Sequence, residues 1–505
     1  MNANKIIYPI LLLLFNLFGI AVCAQKITYT EPDREDSRGM SFEIIGKING
    51  NYLIYKTIRN EHVISVYDND MKLVERNRLS IIPDKVLNVD FIAYPDFCYM
   101  IYQYQRRSIL NCMAVKFDSK GHQVGEPKLL DTTSIGFFSE NKIYNTVFSE
   151  DKQKIVVYKI QKRNEKFHYT TLLFNSNLEL QRKSRMVVAY DDRRNYMSDF
   201  FVDNEGNFVF ASGLKIGSRD YINKLTLITK PANADSFAFH EMNIGKLLLD
   251  EIKLKVDNIN KRYLINSFYY PGRRTDIEGL YSALWDTKTN RQTVMSEQLL
   301  SDTARREAKT EGSLKMAFNN FFIKDVILKR DGGYLLVGED YYTQSRSNQW
   351  NRMDYLYGSP YSVYDYYQPG YYNPYRYRNM YNSNNQNRYY YDNLLVLSLN
   401  KDGVTEWSRV IHKTQFDDES DKFLSFYLFN AAGDLHFLYN EMDRRNKILN
   451  DQSLEPNGNI TRNPTLKSLD RGYDFMPVYA KQVGARQLIV PCDYRNFICF
   501  AKIEY

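Results

Sequence analysis

Short segments of alternating apolar and polar residues run through most of the chain and are separated by Asn, Asp and Gly. The apolar positions are rich in Tyr, Phe, Ile, Val and Leu, which favour strands, whereas the separating residues favour tight turns. One hairpin pattern, two strands joined by a tight polar turn, occurs at seven places. Its turns are marked by Asn49, Asp96, Asp151, Asn204, Asn258, Asp331 and Asn430. The pattern predicts an all-β protein made of repeated antiparallel hairpins.

The spacing of these markers indicates a repeat of about 50 residues. The intervals are 47, 55, 53, 54, 73 and 99 residues, and removal of a 51-residue tyrosine-rich segment, 341–391, reduces the last to 48. A second hairpin follows each first one, so that each unit has four strands, A to D. Four-stranded sheets repeated around an axis form a β-propeller. We predict a single propeller with seven blades, with six or eight blades and a two-sheet sandwich array as alternatives.

The sixth unit resembles a secreted bacterial propeller repeat. It contains Asp331-Gly332-Gly333-Tyr334 and Gly338, then a stretch from Asp392 to Leu399, and later Gly403 and Trp407. This is similar to the repeat D-G-G-Y-x-x-x-G followed by D-x-x-x-x-x-L-x-x-x-G-x-x-x-W, which is common in exported proteins of Bacteroidota. The resemblance covers mainly residues 322–411. It implies the propeller architecture and export, and it implies no particular activity, because the family has none in common.

The N-terminus predicts export. Lys5, an apolar run over 6–22 and Val22-Cys23-Ala24 form a signal peptide of residues 1–24, and the propeller would occupy 25–505. Lipidation of Cys23 is the alternative, although Val22 is a poor residue before a lipidated cysteine. We expect no membrane span in the mature chain. The final residues read as a strand with no sorting domain after it, which favours a periplasmic or outer-membrane-associated location over an extracellular one.

Long connections are expected to gather on one face. In an up-and-down blade the B–C and D–A connections share a face, and the A–B and C–D turns share the other. The insert 341–391 is predicted between strands B and C of unit six, and a long polar loop, 442–471, between B and C of unit seven. A partly helical stretch, 299–320, enters unit six on the same face. Three long loops together suggest a functional surface.

The insert holds 16 of the 42 tyrosines. Tyrosine and arginine are favoured at binding hot spots. The predicted partner-binding residues are Tyr364, Tyr366, Tyr367, Tyr371, Tyr372, Tyr375, Arg376, Tyr377 and Arg378. Two alternatives are an aromatic coat packed on the propeller itself and a disordered low-complexity segment.

The sequence offers no recognisable catalytic motif. The six histidines have no zinc-ligand spacing, and neither a nucleophile elbow nor a phosphate-binding loop occurs. We therefore expect no metal, no cofactor and no assigned catalytic residue. The net charge of +7 is scattered, which argues against nucleic-acid binding. Cys492 and Cys499 flank a short turn and could form a disulfide, or they could be buried thiols.

These observations favour a non-enzymatic exported protein that binds a protein or a cell-envelope component through its loop-bearing face. A carbohydrate-active enzyme, either a glycoside hydrolase or a lyase, is an alternative. It would use the central pocket, with the tyrosine-rich insert as a substrate lid, and a glycan would then be the partner. A self-assembling envelope protein driven by the tyrosines is the third interpretation.

Overall fold

The structure is a computed structural model. It describes residues 25–35, 37–83, 86–136, 142–189, 191, 193–310, 312–345, 349–357, 371–372, 387–418, 420–431, 433–443, 446–464 and 472–505. The signal peptide predicted at 1–24 lies outside these residues. Within them, no helix has the length and the apolar character needed to cross a membrane.

The described strands form eight antiparallel four-stranded units, and we call their strands A to D in each unit. Units 1 to 4 comprise Met40–Ile48, Asn51–Ile58, Glu61–Tyr67 and Leu73–Arg78; Asn88–Ala93, Phe97–Arg106, Ile109–Asp118 and Gln123–Ser134; Tyr144–Phe148, Lys154–Arg163, Lys166–Asn175 and Leu180–Ala189; and Asn195–Met197 with Phe201–Val202, Phe208–Lys215, Ile222–Lys230 and Ala238–Met242. Units 5 to 8 comprise Lys253–Asp257, Arg262–Tyr270, Gly279–Asp286 and Arg291–Leu299; Phe321–Leu328, Tyr334–Ser345, Asn387–Leu399 and Thr405–Ile411; Phe426–Ala431, Asp434–Asp443, Asn446–Leu454 and Ile460–Arg462; and Tyr473–Phe475 with Lys481–Gly484, Gln487–Tyr494, Phe497–Glu504 and Lys26–Tyr29.

Three short strands lie outside this scheme. Leu248–Leu249 links the sheets of units 4 and 5, Gln415–Asp417 extends unit 6, and Tyr371–Tyr372 pairs with strand A of unit 1. The helices are α1 (Asp302–Ala308) and α2 (Arg352–Tyr357), together with 3₁₀ turns at Ser37–Gly39, Leu314–Phe318 and Pro477–Tyr479.

The turns between strands C and D rely on the Asp and Asn residues that the sequence places there. The Asp68 side chain accepts hydrogen bonds from the backbone N–H groups of Asp70 and Lys72, at 2.8 and 2.9 Å. Asp118, Asn175 and Asn400 make the same pair of bonds in units 2, 3 and 6. The side chain thus supplies the acceptor that a tight turn needs, and the hairpin register follows from it.

The core consists of apolar layers between consecutive units. In the described residues, seven separate buried clusters each lie between two consecutive units, from the pair of units 1 and 2 to the pair of units 7 and 8. An eighth cluster packs Phe42 and Tyr52 of unit 1 against Tyr479 and Phe500 of unit 8. The units therefore form a closed ring, and the N-terminal strand Lys26–Tyr29 completes unit 8 by pairing with the C-terminal strand. The fold is an all-β propeller, as the sequence predicts.

The favoured count of seven blades is one short, because the described residues contain eight units. The missed unit is the last one. Its A–B turn falls at Ala485-Arg486, 55 residues after Asn430, which agrees with the repeat length. This turn has no Asn or Asp of its own, so the turn signal used for the other units does not detect it.

The predicted long loop 442–471 is wrong. Residues 446–454 and 460–462 are strands C and D of unit 7, and strand C pairs with strand B from Asp443↔Asn446 onward. The segment is polar and rich in Asn, which is typical of a loop, but it contains a strand whose Leu449 and Leu454 are buried. The helix expected within 299–320 is present as α1. Its Ala304 and Ala308 pack into the core between units 5 and 6.

Candidate active site in the axial channel

The A strands line the axis of the ring, because A strands of neighbouring units contact one another. Charged side chains on or beside them form ion pairs from one unit to the next. Lys142 Nζ lies 4.0 Å from Asp90 Oδ1, Lys253 Nζ 3.3 Å from Asp199 Oδ2, and Lys255 Nζ 3.9 Å from Asp325 Oδ1. The channel wall is therefore polar and charged, unlike the apolar layers between the units.

Hydrogen bonds join the A–B turns of different units on one face of the ring, which we call the turn face. Asn49 N–H donates to Pro95 O at 2.8 Å, and the Asn204 N–H donates to Asn258 Oδ1 at 2.9 Å. Asn258 Nδ2 also donates to Glu150 Oε2 at 2.9 Å, which joins the turn of unit 5 to that of unit 3. The opposite face, which we call the loop face, carries the B–C and D–A connections.

Glu43 is the most perturbed carboxyl group of the channel wall. It lies on strand A of unit 1 and is 6% exposed. Burial raises its pKa from an ordinary 4.5 to about 8. The positive charge of Lys481 opposes this rise, the negative charge of Asp90 adds to it, and the positive charge of Lys142 opposes it. These three neighbours belong to units 8, 2 and 3. Glu43 is therefore protonated at neutral pH, beside a second carboxyl group that is paired with a lysine.

Three buried polar atoms near this cluster have no hydrogen-bond partner among the described residues. They are Nδ2 of Asn88, Oδ1 of Asn145 and Oγ1 of Thr146, on the A strands of units 2 and 3. Asn88 points to the same side of its strand as Asp90, because side chains two residues apart share a side. Buried polar groups are almost always satisfied, so such exceptions indicate where a bound polar molecule would be accommodated.

The insert begins with a sheet that rises above the loop face. Strands B and C of unit 6 continue their pairing from Tyr341↔Tyr391 to Ser345↔Asn387, and we call this extension the stem. One side of the stem is buried in an aromatic cluster. Its members are Phe322, Tyr341, Trp350, Tyr355 and Tyr391, with ring centroids 4.7 to 6.5 Å apart. This part of the insert is the self-packed aromatic coat that the sequence allows as an alternative.

Helix α2 fixes the insert to unit 5. Arg352 is 8% exposed, and its Nε donates to Asp250 Oδ2 at 2.5 Å, while its Nη2 lies 3.7 Å from Glu251 Oε1. The guanidinium group also stacks on Phe322, 3.9 Å from the ring centroid. At the other end of the helix, Tyr357 donates to the backbone oxygen of Asp250. A charged side chain of the insert is thus buried in the propeller.

The insert also reaches the strand that carries Glu43. Tyr371 and Tyr372 pair antiparallel with Glu43 and Phe42, respectively. Among the described residues, the insert therefore contacts unit 6 through the stem and strand A of unit 1 through Tyr371 and Tyr372. The other predicted partner-binding residues, Tyr364, Tyr366, Tyr367, Tyr375, Arg376, Tyr377 and Arg378, lie outside the described residues.

The cysteine pair lies away from this cluster. Cys492 and Cys499 are buried and directly opposite each other on the last two strands, with their sulfur atoms 2.8 Å apart. A disulfide between them stays a prediction. Across the ranges that the structure describes, no three His, Cys, Asp or Glu side chains are grouped so that they could hold a metal ion.

The sequence analysis missed Glu43, although a signal exists. Phe42-Glu43-Ile44-Ile45 in unit 1 and Val89-Asp90-Phe91-Ile92 in unit 2 each place one acid within an apolar A strand. A single acid at this position in adjacent units marks the channel wall. To place these acids on the channel wall, one must know that strand A is the innermost strand of each unit. The alternation of apolar and polar residues does not show which strand is innermost.

Comparison with known proteins supports only the fold. No protein-family model matches the chain, and no curated protein has significant sequence similarity to it. Among solved structures, the polysaccharide lyase Uly1 is similar at 8% identity and a TM-score of 0.38, over 82% of this chain and 89% of that one. A prolyl endopeptidase is similar at 8% identity and a TM-score of 0.42, over 91% of this chain and 55% of that one. The Synechocystis apocarotenoid oxygenase is similar at 8% identity and a TM-score of 0.34, over 95% and 93%.

The expectation of a non-enzymatic binding or scaffold protein is corrected by this comparison. The similar structures are a lyase, a peptidase and an oxygenase, all of them enzymes. Identities this low give no basis for transferring a reaction from any of them. The reaction must be argued from the groups that the channel contains.

Proposed function

We propose that the protein is a carbohydrate-active enzyme that cleaves glycosidic bonds in the axial channel, with the tyrosine-rich insert as a lid. The observation that carries this proposal is the cluster of Glu43, Asp90, Lys142 and Lys481, contributed by four units beneath the insert. Glycoside cleavage needs one carboxyl group that donates a proton and another that is ionised.

In the proposed reaction Glu43 is the general acid. Its proton moves to the glycosidic oxygen as the bond from that oxygen to the anomeric carbon breaks, and the bonding electron pair stays on the departing oxygen. Asp90 removes a proton from a water molecule, whose oxygen bonds to the anomeric carbon. Lys142 Nζ lies 4.0 Å from Asp90 Oδ1 and holds that carboxyl group in position. The polar atoms of Asn88 and Asn145 are available to sugar hydroxyl groups.

Hydrolysis is favoured over elimination for a specific reason. A lyase needs a base that removes a carbon-bound proton, whereas Glu43 is held in its protonated form by burial. We further propose that the protein acts after export, in the periplasm or associated with the outer membrane, where polysaccharides enter the cell envelope. The signal sequence at 1–24 motivates that location.

The test is an assay of reducing-end release from a panel of polysaccharides, with Glu43→Gln as the critical variant. This change keeps the shape of the side chain and removes the transferable proton, so kcat should fall by about 10² to 10⁴-fold. The matched control is Glu126→Gln, an exposed glutamate on the outer strand of unit 2, which should leave kcat unchanged. Activity should also decline as the pH rises through about 8, where Glu43 loses its proton.

Two results would refute the proposal. One is that no polysaccharide in a broad panel yields reducing ends. The other is that Glu43→Gln remains as active as Glu126→Gln. Formation of an unsaturated, ultraviolet-absorbing product without water addition would replace hydrolysis by the lyase reaction.

A further inference from the structure

The outer side of the stem carries a row of aromatic rings. Tyr342, Tyr390 and Phe416 are side by side on three adjacent strands, because Tyr342 pairs with Tyr390 and Tyr390 with Phe416. The first two rings are stacked with centroids 4.5 Å apart, and the next pair is 6.1 Å apart. Phe416 is 51% exposed, and both tyrosines are partly exposed. We call this row the aromatic strip.

A second row, of polar side chains, runs parallel to the aromatic strip. Gln344, Arg388 and Asp418 lie on the same side of the three strands, two residues from each ring. Gln344 Oε1 accepts from the Tyr390 hydroxyl at 3.0 Å, and Arg388 Nη2 donates to Asp418 Oδ2 at 2.9 Å. The Arg388 guanidinium group also lies 5.2 Å from the centroid of Phe416. The outer side of the stem thus combines partly exposed aromatic rings with polar side chains along one edge.

We propose that the aromatic strip binds a linear polysaccharide chain and holds it above the loop face, outside the channel. This inference rests on the proposed function for its substrate class. A sugar ring presents apolar C–H groups on its faces and hydroxyl groups around its edge, which matches the half-exposed ring of Phe416 and the outer edges of the two tyrosines, bordered by Gln344, Arg388 and Asp418. A nucleic acid is a poor occupant, since the positive charge of Arg388 is neutralised by Asp418.

The position of the strip predicts its effect on catalysis. It lies on the opposite side of the stem from the buried aromatic cluster and belongs to no part of the Glu43 cluster. Long substrates that reach both the strip and the channel should gain affinity from it, whereas short ones should not. Loss of the strip should accordingly raise KM for a polymer and leave kcat on a short oligosaccharide unchanged.

Binding is measured by affinity electrophoresis of the full chain in native gels that contain alginate, pectate or laminarin. Glu43→Gln serves as the background so that the polymer is not cleaved. The double variant Tyr390→Ala/Phe416→Ala should weaken binding by about tenfold or more. Tyr390→Phe keeps the ring and should bind like the background. Phe239→Ala removes a ring that is 54% exposed on the outer strand of unit 4 and should also have no effect.

Each result decides the inference. Selective loss of retardation in the double variant, at an unchanged unfolding temperature, supports it. If the double variant unfolds at a lower temperature, Phe416→Ala alone, which removes a half-exposed ring, replaces it in the comparison. Equal retardation of all variants, or no retardation by any of the three polymers, overturns it. Retardation that depends on the strip, without cleavage of any polymer by the wild-type protein, supports the strip and refutes the proposed hydrolase.

Discussion

Glu43 owes its raised pKa to its position in the ring, because its sequence neighbours Phe42 and Ile44 carry no charge. Burial excludes water from the carboxylate, and the charges that act on it come from Lys481, Asp90 and Lys142 in three other units. At the scale of a single residue, the tertiary structure has raised the pKa of an ordinary carboxyl group above neutral pH. A group of this kind also makes folding stability depend on pH.

The first prediction concerns that pH dependence. The folded pKa of Glu43 is about 8 and its ordinary value is 4.5, so between these values the folded protein binds more protons than the unfolded chain. The stability contribution is therefore fully present below pH 4.5 and is lost as the pH rises through 8. Glu43→Gln should remove this loss, so that between pH 5 and pH 9 the free energy of unfolding falls less in the variant than in wild type, by up to about 5 kcal/mol.

Unfolding by urea at pH 5 and pH 9 measures this difference. Glu126→Gln is the control, since its side chain is exposed. An equal pH dependence in wild type and Glu43→Gln would show that Glu43 titrates normally in the folded protein.

At the scale of elements, the insert is joined to the propeller by more than its two ends. The stem extends the sheet of unit 6, α2 contacts units 4 and 5, and Tyr371–Tyr372 pairs with unit 1. The residues on either side of the insert belong to one sheet, and the pairing of strands B and C continues into it as far as Ser345 and Asn387. The sequence does not predict the anchor, because Arg352 and Asp250 are 102 residues apart.

The second prediction concerns this anchor. Arg352→Ala leaves Asp250 and Glu251 buried without their cation, so the free energy of unfolding should fall by about 3–5 kcal/mol. Amide hydrogen exchange in residues 349–357 should accelerate at the same time. Arg219→Ala is the matched control, because Arg219 pairs with Asp354 of the same helix at 3.0 Å, but both side chains are more than half exposed. Its effect should stay within about 1 kcal/mol.

Hydrogen exchange followed by mass spectrometry distinguishes the two variants. Equal exchange rates in 349–357 for wild type and Arg352→Ala would mean that the buried ion pair does not hold the helix in place.

At the scale of the whole molecule, the ring is closed by its two chain ends. Lys26–Tyr29 pairs with residues 501–504, and Ile27 and Tyr29 pack against the core between units 7 and 8. Through this pairing, unit 8 has a fourth hydrogen-bonded strand, as the other units do. The closure also keeps the A strands at fixed positions around the axis, on which the geometry of the Glu43 cluster depends.

The third prediction follows from this closure. Replacement of Lys26–Tyr29 by a Gly/Ser tetrapeptide removes two packed apolar side chains and weakens the strand that makes four backbone pairs, so the unfolding temperature should fall by several degrees. Calorimetry measures this temperature. An unchanged value would show that the eighth unit is stable with three strands.

The sequence by itself determined the strands, their turns, the repeat length and the place of the insert, because these depend on alternation and on local turn chemistry. It undercounted the units where a turn lacks Asn and Asp, and it mistook residues 446–462 for loop because that strand pair is unusually polar. Only the tertiary structure decided the ring closure, the buried anchor of the insert and the cluster around Glu43. Each of these joins residues far apart in the chain, and their burial and mutual distances arise only when the eight units pack around one axis.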